Sequence, residues 1–476
     1  MEKREKTYAL KLQKMIQCET VSIKDVVQKE KFDRFHEVLK DLFPHVFATC
    51  EIHDFDGSLL FKWKSSNPQG EPILLMSHQD VVAANAKDWK HPPFSGDIDE
   101  NGAIWGRGTV DTKGSLFCIF QAVDELIAEN YQNKVDVYIA SSCGEEILGP
   151  GARSTSEYLQ KQNIHLQLLL DEGGMITYEP LSGAKARFAM MGCLEKGTGN
   201  FKFLAHGKGG HASTPGKNTP LPRLGAFMND IERKNPFTAK MNPITLEMFR
   251  RMGPTMHGIL GFIFRHAKGF SPLLEKLLPK ANPAGAAMIS TTIAFTTAQG
   301  SDGLNVLPQE AFVTGNIRFI HHEGVEKTKH ILGEIAARHD IEIEIINATE
   351  PCPMVDITTT QYKMVEDTIK ELFPKVIPCP YAMTGGTDAR FYTSVCPNAI
   401  RFAPLEINKQ QYLSIHGVDE NIDVKVLPAG VDFYRTIVKK IGSITFSLPT
   451  IQRSRFPNKE PASAFIPPNP TCSCLS

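Results

Sequence analysis

No Cys-x-x-Cys pair occurs among the 10 cysteines of this 476-residue chain, and their scatter outlines no disulfide framework. Reduced, mostly buried thiols are the expectation. Net charge is also nearly absent, formally −1 with 22% charged residues, so nothing points to nucleic acid or another polyanion as partner. Long apolar runs are missing too. No stretch reaches the roughly 18 unbroken apolar residues of a membrane span, and the nearest, "GILGFIFRHAKGF", is interrupted by Arg265, His266 and Lys268. The N-terminal "MEKREKTYALKLQKMIQCET" reads as a charged amphipathic helix without the apolar core and cleavage site of a signal peptide. These absences lead to the expectation of a cytoplasmic protein with no membrane partner.

What is present is ordinary for a soluble globular protein, with 42% hydrophobic residues and a length that argues for two or three domains. The first half alternates short apolar runs, "PILLMS" (72–77), "KVDVYIA" (134–140) and "LQLLLDE" (166–172), with helical stretches. In "GSLFCIFQAVDELIAEN" (114–130), Phe117, Phe120, Val123 and Ile127 fall on one helical stripe. Strands alternating with helices predict an α/β sheet covered on both faces, with sites just past the carboxyl ends of its strands.

From about 195 the pattern changes. A strand and Gly-rich loop in "KGTGNFKFLAHGKGGHAST", a helix near 220–233, strands at 288–298 and 311–320, a helix near 324–338 and the alternating "IEIEII" (341–346) follow one another. The order β-α-β-β-α-β is that of a ferredoxin-like module, interrupted by a Pro- and Met-rich insertion over 235–285. The predicted organisation is a first α/β part (1–194), the inserted module (195–350), a second α/β part (351–441) and a Pro/Ser-rich tail (442–476) expected to be disordered. In that tail Cys472 and Cys474 are spare thiols or, alternatively, a C-x-C metal pair.

The apolar runs end in polar residues of a particular kind. In "LLMSHQDVV", His78 and Asp80 share one face of an extended segment, so the carboxylate can hold one imidazole nitrogen and leave the other for a metal. A surface His-x-Asp pair is the plain alternative. In "WGRGTVDTKGS", Asp111 precedes a helix, where it is either an N-cap or a carboxylate able to bridge two cations. "SSCGEE" brings Glu145 and Glu146, "LLLDEGG" brings Asp171 and Glu172, and "SIHGVDE" brings His416. A solvated strand end explains any one of these acids, but three runs ending in potential metal ligands are hard to attribute to chance.

This set of motifs, in this order, resembles the co-catalytic zinc exopeptidases related to carboxypeptidase S, aminoacylase and carboxypeptidase G, over residues from about 10 to 441. "LDEGG" and the long insertion look most like the carboxypeptidase S branch. The resemblance implies a zinc-exopeptidase α/β catalytic domain carrying a ferredoxin-like lid that also serves in dimerisation. It makes His78 and His416 ligands of two different metals, Asp111 the bridging carboxylate, Glu146 a terminal ligand and Glu145 the general base. Asp171 or Glu172 is the remaining ligand, and the choice between them stays open. If the GEE backbone is extended, adjacent side chains point apart and separate the two glutamates' tasks.

The implied cofactor is two divalent ions, zinc by preference, with manganese or cobalt fitting the same ligands. Glu145 would take a proton from a water activated by the pair and pass it to the leaving amine. From the lid, "GKGGHAS" makes His211 a candidate to stabilise the oxyanion, although it also fits a plain loop histidine. Asn305 and Arg318 resemble lid contacts to substrate. In "TGGTDAR", Arg390 with Gly385 and Gly386 resembles the receptor for a substrate carboxylate, with structural salt bridges as the alternative for either arginine.

The expected reaction is hydrolysis of an amide next to a free carboxylate, in a dipeptide, a short peptide or an N-acyl amino acid. An insertion packed near the lid would favour an apolar acyl group or side chain. The alternatives are a deacetylase of a biosynthetic N-acyl intermediate and a non-catalytic binding homologue.

Overall fold

A computed structural model describes residues 2–442 apart from Val27 and Asn282. The tail from 443, with Cys472 and Cys474 and the expectation of disorder attached to it, lies outside the described residues.

The apolar runs of the first half form the centre of a ten-stranded sheet. Strand Ile73–Met76 lies between Val137–Ser141 and Leu168–Asp171 and is parallel to both, and Ala399–Arg401 continues the sheet parallel to Leu168–Asp171. These central strands are buried on both faces, which is why they read as short, mainly apolar runs. Helix Lys113–Ala128 is buried along most of its length and packs against the C-terminal helix Leu427–Ile441. The N-terminal helix Lys3–Ile16 joins the same core through Tyr8, Leu12 and Ile16. It is fixed by fully buried Lys113, whose ammonium donates to the carbonyls of Met15 (3.0 Å) and Cys18 (2.7 Å). Parallel alignment brings the C-terminal ends of the central strands, followed by His78, Glu145 and Glu172, to one edge.

The inserted unit has its own antiparallel sheet and its own core. Strands Gly197–His206, Thr292–Gln299, Glu310–Phe319 and Glu342–Thr349 are ordered in space as second, third, first, fourth. Helices Pro220–Arg233 and Gly324–Arg338 supply Leu224, Phe227, Leu332 and Ile335 to a cluster with Phe201, Phe203 and Phe319. The second strand begins at Thr292 rather than 288, because Met288 and Ile289 end helix Pro283–Ile289.

The insertion over 235–285 reaches the larger sheet. Its first helix, Pro243–Met252, packs on strand Val376–Met383 of the ten-stranded sheet rather than on the inserted unit's core. Met248, Phe249, Met252 and Phe264 form one cluster with Phe188, Met190 and Cys379. Flexible, polarisable methionines suit such an irregular seam between helices and a sheet face.

Candidate active site

Asp111 lies at the middle of the acidic edge. One carboxylate oxygen is 3.0 Å from His78 Nε2, and the other is 3.0 Å from His416 Nε2. Glu146 reaches His416 Nε2 at 3.1 Å. Ligand atoms of His78, Asp111 and Glu146 all lie within 4.8 Å of one another.

The two histidines arrive by different routes. His78 follows strand Ile73–Met76 and is buried, and its Nδ1 donates to the backbone carbonyl of Asp80 at 2.9 Å. A carbonyl only accepts, so this bond places a proton on Nδ1 and leaves Nε2 facing the acidic cluster, where it donates to Asp111 when no cation is present. The Asp80 carboxylate, expected to hold the ring, is farther from it at 3.5 Å. It instead accepts from the amides of Glu145 (3.1 Å) and Glu146 (3.3 Å) and from the Ser22 hydroxyl (2.6 Å), tying the histidine strand to the GEE loop. His416 is half-exposed, with φ +57° in the left-handed region. Its loop is held by a buried ion pair: Arg107 donates to Glu420 (2.7 Å) and to the Gly417 carbonyl, while Glu420 accepts from the amides of Val110 and Asp111.

Glu145 and Glu146 are separated by a different geometry from the one expected. The segment is a 3₁₀ turn, Glu145–Ile147, entered through Gly144 at φ +94°, rather than extended backbone. From it Glu146 faces His416, while Glu145 stands 3.6 Å from Arg390. The acids at 171 and 172 also divide. Asp171 is buried, and its two oxygens accept from the amides of Glu172 and Ala389, both at 2.8 Å. Glu172 is crowded by Asp111 and Asp171, so burial and these like charges push its carboxyl well above the usual range.

Burial, together with Asp388 and Glu146, likewise holds the Glu145 carboxyl well above its ordinary value. Hydrogen bonds to Asp111 and then Glu146 raise His416 to about 10. Burial alone would lower His78, but its bond to Asp111 and the negative charge of the neighbouring Asp80 carboxylate override it and raise the imidazole well above its ordinary value. Without cations, protons on the imidazoles offset the pooled negative charge.

The loop after strand Val376–Met383 supplies the other wall. A Cβ on Gly386 would come within 2.9 Å of Arg390 Nη1 and 3.2 Å of Glu195 Oε1, so the backbone there runs close against the guanidinium. Gly385 has no such constraint, since a Cβ there would meet nothing. Arg318 approaches Arg390 from the inserted unit, and burial followed by that neighbour's charge lowers its pKa.

His211 and Asn305 are elsewhere. Both are exposed, joined where the Ala212 amide donates to the Asn305 carbonyl at 2.9 Å. They belong to the end of the inserted sheet beyond His206, whereas Arg318 pairs with Thr198 at the opposite end. At a rise of about 3.3 Å per residue these ends lie about 26 Å apart. The structure thus gathers His78, Asp80, Asp111, Glu145, Glu146, Glu172, Arg390 and His416, with Asp171 beneath them, and leaves His211 and Asn305 at a distance.

A family model described as peptidase family M20/M25/M40 matches residues 74–440. The chain belongs to this family. Among its relatives, a probable carboxypeptidase S-like 2 of Dictyostelium discoideum is 31% identical over 415 residues, covering 86% of this chain and 79% of that one. The human N-fatty-acyl-amino acid synthase/hydrolase PM20D1 is 30% identical over 411 residues, covering 85% and 82%. The solved M20 family metallo-carboxypeptidase Sso-CP2 from Sulfolobus solfataricus shares the fold, with a TM-score of 0.68 at 16% identity, covering 93% of this chain and all of the other. The protein is accordingly an enzyme of the metallopeptidase or aminoacylase type.

Several residues around the M20 site escaped the sequence reading. Glu420 and Arg107 stand inside the quoted motifs "SIHGVDE" and "WGRGTVD", where an acid and a base beside two ligand loops were the available signal. Asp388, in "TGGTDAR", is buried beside Glu145, with Oδ2 accepting from Ser142 (2.5 Å) and Oδ1 without a hydrogen-bond partner. A Cβ on Gly149 would come within 2.5 Å of that oxygen, so glycine lets the GEE loop close over it. Glu195 pairs with buried Arg401 at 3.0 Å and accepts from the Thr387 amide, linking the inserted unit's entry to the TGGTD loop.

Proposed function

We propose that this protein hydrolyses an amide bond adjacent to a free carboxylate, with an N-acyl amino acid or a short peptide as substrate. The observation that carries this reading is the Asp111 carboxylate, stretched between two imidazoles with an acid beside one of them and Glu145 nearby. The donor set would hold two divalent cations, with His78 and Glu172 serving one, His416 and Glu146 the other, and Asp111 available to both. Imidazole and carboxylate donors favour zinc and accept manganese or cobalt. Asp171 is the weaker candidate ligand because both its oxygens already accept backbone amides. Such a cation pair would make a water acidic and polarise the scissile carbonyl.

The chain's own groups do the rest. Glu145, whose burial strengthens its hold on a proton, takes one from the attacking water and returns it to the leaving amine. Asp80 keeps the amides of Glu145 and Glu146 in place. Arg390, backed by Arg318 and approached closely by the backbone at Gly386, receives the substrate carboxylate. We read the inserted unit as a ferredoxin-like lid and the segments 1–194 and 351–441 as one catalytic domain. His211 and Asn305, at the lid's far end, meet the reacting carbonyl only by lid closure or through the lid of a second copy, which is the reason to propose a homodimer.

The similarity to an N-fatty-acyl-amino acid synthase/hydrolase, together with the Met- and Phe-rich seam behind strand Val376–Met383, favours an apolar acyl group over a polar side chain. The test is a metal-supplemented panel of dipeptides, N-acetyl and N-long-chain-acyl amino acids, each paired with its C-terminal carboxamide. Cleavage of the free acids and weak cleavage of the amides is expected; equal rates would remove the carboxylate from the reading. Preference for a single N-acetyl intermediate would favour the deacetylase alternative, and no turnover of any member of the panel would refute the proposed substrate class.

A further inference from the structure

The insertion carries an apolar outer face that its own packing does not use. Helices Gly258–Arg265 and Ser271–Ala281 turn Phe264 and Leu274 inward, where Phe264 stacks on Phe249 with ring centres 4.2 Å apart. Outward they expose Ile259 (79%), Leu260, Phe262 (53%), Leu273 and Leu277 (50%). The spacing makes these residues stripes. On the second helix Leu273, Lys276, Leu277 and Lys280 recur at helical intervals, and on the first Ile259, Phe262 and His266 do the same. The Phe262 and Phe270 rings, 6.0 Å apart, join the two helices.

Charge on this face has one sign. Arg265, Lys268, Lys276 and Lys280 are exposed, while the only acid between 256 and 285, Glu275, accepts from the Met241 amide at 2.9 Å and is half-buried. A second copy laid on the same face would set these cations against each other. A bilayer bearing anionic headgroups meets both features, taking the apolar stripe into the acyl boundary while the basic side chains extend to the phosphates.

We propose that these two helices dock the protein on an anionic lipid surface. The expectation of no membrane partner rested on the lack of an 18-residue apolar run. That concerns spanning helices, and none of the described helices is long and apolar enough to cross a membrane. Helices lying in the interface need no such length. Through Met248 and Phe249 the docking pair sits on the core behind strand Val376–Met383, which leads into the TGGTD loop. Docking would therefore bring the site to the surface where long-chain amphiphiles partition. The inference does not depend on the substrate reading, since binding is measured without turnover.

The test is cosedimentation of the full metal-loaded chain with vesicles of phosphatidylcholine alone or with about one-third phosphatidylserine. Two variants accompany it, Ile259→Ser/Leu273→Ser/Leu277→Ser and Lys276→Glu/Lys280→Glu, all at exposed positions outside the catalytic and core residues. The expected result is salt-sensitive binding to the anionic vesicles, at least about tenfold above neutral ones. Both variants should weaken it about tenfold or more, with circular dichroism and thermal midpoint unchanged. No binding, equal binding to both vesicles, or binding indifferent to both variants would overturn the proposal. Dissociation of a dimer by the serine variant in sedimentation velocity would also overturn it, by showing that a second copy covers this face.

Discussion

Changing Asp171 to Asn and Glu172 to Gln, one at a time, separates two adjacent acids that sequence alone could not. Asp171 is buried, with each carboxylate oxygen accepting one backbone amide at 2.8 Å. Asp171→Asn puts an NH2 against one of those N–H groups, losing a charge-assisted bond and leaving a buried donor unmet. Such a loss costs about 1–3 kcal/mol. The variant should therefore melt lower than the parent while binding the same metal per folded chain. Glu172→Gln should do the reverse. Repulsion from Asp111 and Asp171 is relieved, so in chelator its thermal midpoint should equal or exceed the parent's. With zinc added, it should hold less metal than the parent. Differential scanning calorimetry with and without chelator, plus elemental analysis of desalted protein, reads both quantities. If Asp171→Asn loses a metal while Glu172→Gln keeps two, the assignment of ligand and support is inverted.

Arg390→Met should lower kcat/KM for free-carboxylate substrates by roughly 10- to 100-fold, mainly through KM, as loss of a bidentate charged pair implies. The matched carboxamides should change far less, and an equal fall for both would place Arg390 in the support of Glu145 alone. Asp388 gives a pH prediction. Burial pushes its carboxyl up to about 7, so folding favours the protonated form. That contribution is fully present below about pH 4 and is lost as pH rises through 7. Chelator-treated parent should thus lose stability relative to Asp388→Asn across this window, by on the order of a few kcal/mol; a pH-independent difference would contradict it.

Much of the fold is legible because burial leaves a strong pattern. Strands buried on both faces are mainly apolar, so Ile73–Met76, Val137–Ser141 and Leu168–Asp171 stand out, as do the helices Pro220–Arg233 and Gly324–Arg338 with their single apolar stripes. The ligand candidates are legible for a related reason, since charged residues directly after such strands are out of keeping with them. Three-dimensional accommodation was not legible. The 3₁₀ turn at Glu145 depends on a glycine at positive φ and on Asp80 gripping two amides, neither of which has a periodic signature. Asp171 and Glu172 are chemically near-equal in sequence, and only their hydrogen bonds part them. The seat of the insertion on strand Val376–Met383 is set by a contact more than a hundred residues away in the chain.

Glu145→Gln tests the central claim most directly. The amide keeps the shape and volume of the side chain and lacks only its basicity. Turnover of an N-acyl amino acid and metal content are to be measured on the same preparation, beside the parent. The account predicts a loss of kcat by about a hundredfold or more, with bound metal per chain unchanged. Turnover near the parent's with metal retained would contradict it.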